Sequence, residues 1–367
     1  MSAGERPLRV VCGCDFHFRY CTRLAAGLGR AGAEVALITR DHDLEFGGDP
    51  GAAEAFVREK TGPGVRRRVV AGRVRSPRGW LDAARLRGRV ARFEPDVVHL
   101  QESAANDPRL LLATRPRRRR LALTIHDPSP HPGDNVPRLD PFFNGALIRL
   151  AGLVFVHGEA LREELIERFH PRAPVVVVPH GVEPAAASAV PERPEILFFG
   201  RISHYKGLDV LLDAMEAVWR QLPEATLTVA GEGEIEPHPA LSDRRVTVIP
   251  GHVPEADVPG LIDAARCVAL PYRQASQSGV GSLVKPRGRP LIVTAVGGLP
   301  ELVGDGSGIA VPPEDPAALA AALIDVLGDR ELAERLGAAG LRATERESSW
   351  DVVAAKTIAA YREHLLG

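Results

Sequence analysis

Residues 198–214 read FFGRISHYKGLDVLLDA. The two phenylalanines close an apolar, strand-like run that begins at Ile196. Gly200 follows, then Arg201 at once, with Lys206 five residues later. After Gly207 the apolar residues Leu208, Leu211, Leu212 and Met215 recur at helical spacing. Strand, glycine turn and helix in this order belong to an open α/β sheet, whose ligands bind beyond the carboxyl ends of its strands. Two cations at such an end, beside a helix start, suit an anion. The planar fork of arginine and the point charge of lysine can share a diphosphate. The plainer alternative, two solvated cations flanking a loop, stays open on this spacing alone.

Short β-rich runs alternate with helical patterns on both sides of this stretch. Upstream they are LRVVC (8–12), EVALIT (34–39), RRVVA (67–71), DVVHL (96–100), LALTIH (121–126), LVFVH (153–157) and VVVVP (175–179). Helical stretches at 19–31, 80–93 and 158–169 sit between them. Strands apolar at consecutive positions are buried on both faces, as in parallel sheets. The segment HGVEPAAASAVPERPE (180–195) breaks the pattern and suits a linker. Downstream the alternation restarts with ILFFG, TLTVAG (226–231), VTVIP (246–250), VALPY (268–272), LIVT (291–294) and GIAV (308–311). Helices are expected at 206–220, 255–265, 316–328, 330–345 and 350–365. The fold class is therefore α/β, with two Rossmann-like domains in tandem facing each other across a cleft. The expected boundaries are 1–180, 181–348, and a terminal helix at 349–367 that crosses back to the first domain.

A chain of 367 residues exceeds what one core usually supports. The net charge of −1 hides an asymmetry. Through residue 180 there are 29 Lys and Arg against 21 Asp and Glu; beyond it, 17 against 26. The basic excess gathers at Arg66–Arg68 and Arg117–Arg120, either as a solvated face or as a peripheral contact with an anionic membrane. Nucleic acid is disfavoured, because no aromatic residues interleave with those arginines. The strand pattern starts within eight residues of the amino terminus, which leaves no room for a secretory signal. A cytoplasmic location, peripheral at the inner face of a membrane as the further option, is expected. Cys12-x-Cys14 lacks a second ligand pair, so no metal is expected and the four cysteines read as reduced thiols.

The pattern G-R-x4-K-G-x-D-x-L-L-x-A (200–214) resembles the diphosphate-binding segment of the retaining GT-B glycosyltransferases grouped as family 4. The pieces that follow come in that family's order: LTVAGEGE (227–234), VIPGHVPEADVPGLIDAA (248–265), VALPYRQASQSGVG (268–281), RPLIVTAVGGLPELV (289–303) and GIAVPPEDPAALAAAL (308–323). The resemblance covers residues 175–366 and is weaker before them. It implies a retaining transferase that moves a sugar from a nucleotide-diphosphate donor to a hydroxyl acceptor. No cofactor or metal is implied, the nucleotide sugar being a substrate. The acceptor could be a small molecule, a lipid-linked saccharide or a glycan.

The resemblance also assigns residues. Gly200, Arg201 and Lys206 would hold the diphosphate as it leaves. Ser278, Gly279, Val280 and Gly281 would bring backbone N–H groups to a phosphate. Where the family carries Glu-x7-Glu, this chain has Gln277 and Lys285. An amide at 277 can still bond sugar hydroxyls. Lys285 offers no acceptor to a ribose; it could add a third cation or end a helix cut short by Pro286. Glu301 would meet the sugar or nucleotide, or simply start a helix. In the first domain His126 would lie near the donor sugar. Asp15, His17, Glu102, Asp127 and His131 are the acceptor-side candidates, with Asp15 and His17 also readable as helix caps. Two other classes remain beside this reading: a catalytically degenerate binding or partner protein, and a nucleotide-sugar epimerase. A dinucleotide oxidoreductase is the poorer fit, because no G-x-G-x-x-G follows the first strand.

Overall fold

The computed structural model describes residues 6–41, 46, 49, 51–62, 65–70, 76–102, 107–115, 118–128, 140–183, 185, 188–275 and 278–367. The chain divides into two compact units, Met1–Gly181 with Trp350–Gly367, and Val182–Ser349.

The first unit holds β1 (Arg9–Cys14), β2 (Glu34–Arg40), β3 (Val65–Val70), β4 (Val97–Gln101), β5 (Leu121–Thr124), β6 (Leu153–Val156) and β7 (Val175–Val177). Its helices are α1 (Phe18–Arg30), α2 (Ala52–Thr61), α3 (Pro77–Phe93), α4 (Pro108–Thr114), α5 (Asp140–Leu150) and α6 (Glu159–Phe169). The strands lie in the order β3-β2-β1-β4-β5-β6-β7, all parallel.

The second unit holds β8 (Glu195–Phe199), β9 (Thr226–Gly231), β10 (Val246–Pro250), β11 (Cys267–Leu270), β12 (Leu291–Thr294) and β13 (Gly308–Val311). Its helices are α7 (Leu208–Gln221), α8 (Val258–Ala264), α9 (Gly279–Val284), α10 (Leu299–Val303), α11 (Pro316–Gly328) and α12 (Arg330–Ala343). The order is β10-β9-β8-β11-β12-β13, again parallel. Strand order reverses beside β1 in one sheet and beside β8 in the other. These are the switch points where such sheets bind ligands.

Central strands bury both faces, as their unbroken apolar runs require. Cys267 and Ala269 of β11 join the core under α7 and α11, while Val268 and Leu270 join the opposite one. The edge strand β10 departs from the expectation. Val248 and Ile249 stay 37% exposed, because an edge position leaves them uncovered. All four cysteines are buried free thiols. Helix starts follow local chemistry: Asp315 accepts from the Ala317 and Ala318 N–H groups at 3.1 and 2.9 Å, with Pro316 in the first turn.

The last helix, α13 (Trp350–Tyr361), belongs to the first unit. It lies against α1 so closely that a Cβ on Gly27 would come within 2.7 Å of the Trp350 carbonyl. The Tyr361 hydroxyl meets buried His99 Nδ1 at 2.5 Å, tying the helix to β4. No helix among the described residues is long and apolar enough to cross a membrane.

Candidate active site

At the carboxyl end of β8, Gly200 adopts φ 113, a conformation that a side chain disfavours. A Cβ there would meet Lys206 Nζ at 3.0 Å and Val280 Cγ2 at 3.3 Å. Three residues singled out from the sequence thus converge on one spot. The helix expected from 206 starts instead at Leu208. Residues His204–Lys206 form a 3-10 turn, and Gly207 sits at φ 66 where an added Cβ would come within 2.0 Å of the Pro271 carbonyl oxygen. That turn folds the lysine back under Gly200. Lys206 is 8% exposed, and its ammonium sits 5.1 Å from the centre of the Tyr272 ring. Burial, and then repulsion from Arg201, pull its pKa down to about 8. Among the described residues no acidic side chain offsets this. Arg201 itself is exposed.

A residue not flagged from sequence, Arg273, fixes this turn together with Asp209. Arg273, after β11, donates to both Asp209 carboxylate oxygens (2.8 and 2.7 Å), to Glu314 (3.0 Å) and to the His204 carbonyl (2.9 Å). Its backbone N–H donates to the Tyr205 carbonyl at 2.7 Å. The 204–209 segment is held against the β11 loop by four bonds from one residue. Asp209 stood in the quoted motif, but its partner is 64 residues away.

Ser278 caps α9, accepting from the Gly281 N–H at 3.4 Å. Gly279 has open space where a side chain would be. Gly281 does not: a Cβ would sit 2.3 Å from Leu302, so this glycine serves packing against α10. α9 stops at Val284, so Lys285 does follow a helix cut short before Pro286, but that end is not solvated. Its ammonium pairs with Asp305 and donates to the Leu302 carbonyl at 2.9 Å, so it is neither a solvated end nor a cation turned toward a phosphate. A lysine stem at the end of α9 reaches these acceptors more cheaply than it could desolvate alone. Glu301 is exposed in the first turn of α10. Gln277 and His131 lie outside the described residues.

In the first unit the carboxyl ends of β5 and β6 bring His126 and His157 together, with Gln101 from the end of β4 beside them. His157 Nδ1 donates to the Val178 carbonyl at 3.0 Å. Burial keeps His157 neutral, its pKa down to about 3, so its Nε2 is an acceptor. The group 3.2 Å away is His126 Nδ1, which therefore carries the proton. His126 Nε2 then needs a donor. The Gln101 amide lies 2.8 Å from it, and turning that amide supplies its otherwise unpartnered nitrogen. Both His126 ring nitrogens are thus engaged internally, and its ring is buried. Gln101 and His157 were missed because they read as ordinary strand ends.

His17 stacks on the His126 ring with centroids 3.8 Å apart. It is left-handed, at φ 54, and starts α1 without capping it. Its Nε2 meets Glu102 Oε1 at 3.2 Å. The other Glu102 oxygen accepts from the backbone of His126 (2.7 Å) and Asp127 (3.2 Å). Two acceptor-side candidates are thereby one pair, partly open to solvent (21% and 14%). Asp15 is buried and ion-paired with Arg40. Gly13 is a packing glycine, with Leu100 2.6 Å from where a Cβ would be.

The basic clusters are not uniform solvated faces. Arg67 is turned inward, bonding Thr39 Oγ1 at 3.1 Å and Glu54 at 3.0 Å. Arg120 donates to the Pro95 carbonyl at 3.0 Å, and Arg117 lies outside the described residues. Among the described residues no group of His, Cys, Asp or Glu gathers so as to hold a metal ion.

Two tandem Rossmann-like units, with a buried lysine and an arginine at the second sheet's switch point, define a transferase of the GT-B class. Residues 18–186 match the family described as Glycosyltransferase Family 4, and residues 193–329 that described as Glycosyl transferases group 1. The chain belongs to these glycosyltransferases. It is 28% identical over 292 residues to a glycogen synthase of Mycobacterium tuberculosis, covering 73% of this chain and 69% of that one. It shares its fold with sucrose-phosphate synthase from Thermosynechococcus elongatus (TM-score 0.71, 20% identity, 98% and 99% of the chains covered). The same holds for Anabaena HepE in complex with UDP-glucose (TM-score 0.69, 17% identity, 96% and 100% covered).

Proposed function

We propose that the chain is a retaining, metal-independent glycosyltransferase that takes a sugar from a nucleotide-diphosphate donor and delivers it to a hydroxyl. The observation that carries this is Lys206: a buried ammonium beneath Gly200, with Arg201 beside it and no acidic partner among the described residues. Such a charge is costly without an anion. A diphosphate supplies one, and its negative charge grows as the glycosidic bond breaks, so the same two cations act most strongly on the transition state. That removes the need for a metal. The Anabaena neighbour, solved with UDP-glucose, supports this class of donor.

In the step, the acceptor oxygen bonds to the anomeric carbon on the face that the diphosphate leaves. The acceptor's proton passes to the departing phosphate oxygen, so no side chain has to act as base. Gly200, Ser278, Gly279 and Val280 shape the phosphate end. Gln277 and Glu301 are assigned to the sugar or nucleotide, and Lys285 leaves the donor set because of its Asp305 pair. On the first unit, the His17–Glu102 pair, Asp15, Asp127 and His131 are assigned to the acceptor. His126 acts by holding the stacked His17 ring in place. Peripheral membrane contact, if the acceptor is lipid-linked, falls to the exposed Arg66 and Arg68.

Thermal unfolding against UDP, GDP, dTDP and ADP identifies the base. Turnover is then followed with the matching sugar nucleotide, and the anomeric configuration of the product is read by NMR. Arg201→Ala should lower kcat/KM by roughly 10²–10³ with unchanged melting. Undiminished turnover, or an inverted product, refutes the reading.

A further inference from the structure

At the amino-terminal edge of the first sheet, opposite the strand ends that carry the histidine chain, lies a cavity of about 460 Å³. It falls within the roughly 300–1,000 Å³ typical of small-molecule sites. Its wall carries Arg6, Arg87, Arg115 and Arg120, with Glu94 as the one acid and Thr114 beside them. The four arginines come from four places in the fold: the approach to β1, α3, the end of α4 and the start of β5.

Some of this charge has a structural use. Helices α3 and α4 both end here, and their carboxyl ends favour cations. Arg120 satisfies the Pro95 carbonyl at 3.0 Å, and Arg6 grips both Asp96 oxygens at 2.8 and 2.6 Å. Arg87 and Arg115 are in excess of that need. Neither makes an ion pair among the described residues. Arg115 is also held at φ 42, a conformation an arginine rarely adopts. Glu94, the cap at the end of α3, is left-handed as well (φ 50). Unpaired arginines on a concave wall are the arrangement that takes a phosphate through paired N–H donors.

We propose that this cavity is a second site, separate from the donor site, that binds a phosphomonoester through Arg87 and Arg115. The phosphate belongs either to a soluble sugar phosphate or to a lipid headgroup. Two probes separate the sources: glucose 6-phosphate, and phosphatidylcholine vesicles doped with phosphatidic acid. The full chain is compared with Arg87→Gln/Arg115→Asn, asparagine being tolerant of the left-handed backbone, and with Arg201→Ala. Binding of at least one probe to the wild type and to Arg201→Ala alike is expected, weakened more than tenfold in the double variant. A thermal shift with glucose 6-phosphate identifies a soluble ligand, and cosedimentation with the doped vesicles alone a lipid one. Two outcomes overturn the proposal: neither probe binds, or the double variant binds as tightly as the wild type. Loss in Arg201→Ala together with retention in the double variant would place the phosphate in the donor site instead.

Discussion

Replacing Lys206 by methionine should make the protein more stable and inactive. The ammonium titrates at about 8 rather than 10.5, chiefly because it is buried and secondly because Arg201 repels it. At ~1.36 kcal/mol per tenfold change in acidity, keeping it charged in the fold at pH 7 costs about 3 kcal/mol. Methionine fills the same space against Tyr272 without the charge. For a unit of this size each kcal/mol is worth roughly 2–4 °C, so the transition of the second unit should rise by about 6–12 °C. The pH dependence checks the cause. The folded pKa lies below the unfolded one, so between about pH 8 and 10.5 the unfolded chain binds more protons and wild-type stability rises with pH. The advantage of the variant should therefore be full at pH 7 and vanish above pH 10.5. Calorimetry of both proteins at several pH values reads this directly. A variant less stable than wild type at pH 7, or a gap that does not close with pH, would refute a desolvated cation here. The same lysine should make nucleotide affinity fall as pH rises through the folded value, since only the ammonium attracts a diphosphate.

Other substitutions separate structure from chemistry. Lys285→Ala leaves Asp305 partly buried and unpaired. It should cost about 1–3 kcal/mol in urea unfolding while leaving donor KM unchanged; a raised KM would restore Lys285 to the donor set. Gly200→Ala adds left-handed strain and a contact with Lys206 Nζ, and should destabilise by about 1–3 kcal/mol with loss of nucleotide binding. Gln101→Leu removes the donor to His126 Nε2 and strands a buried ring nitrogen. It should cost about 1–3 kcal/mol and disturb the His157 imidazole resonances in NMR, whereas Gln101→Asn should not rescue them, its amide being too short to reach.

The strands were legible because a parallel sheet covered on both faces writes itself as unbroken apolar runs, such as CVAL of β11 and LVFV of β6. The motif around Arg201 and Lys206 was legible because strand, glycine and cation are adjacent in sequence, and local geometry follows from adjacency. Exposure was less so: VTVIP of β10 looks like a core strand, yet its place at the sheet edge leaves it open.

What sequence alone determined is the class of fold and the cationic turn, both set by residues within a few positions of each other. What only the tertiary structure decided is who partners whom. Lys285 reads as a ligand or a surface residue until Asp305, 20 residues on, takes its charge. His126 reads only as a histidine near the donor sugar until β4 and β6 bring Gln101 and His157 to its two nitrogens. Arg273 gives no sign of holding the Lys206 turn until β11 ends beside it. A buried polar group must find its partner wherever the sheet order delivers one, and sheet order is not written at the positions it joins.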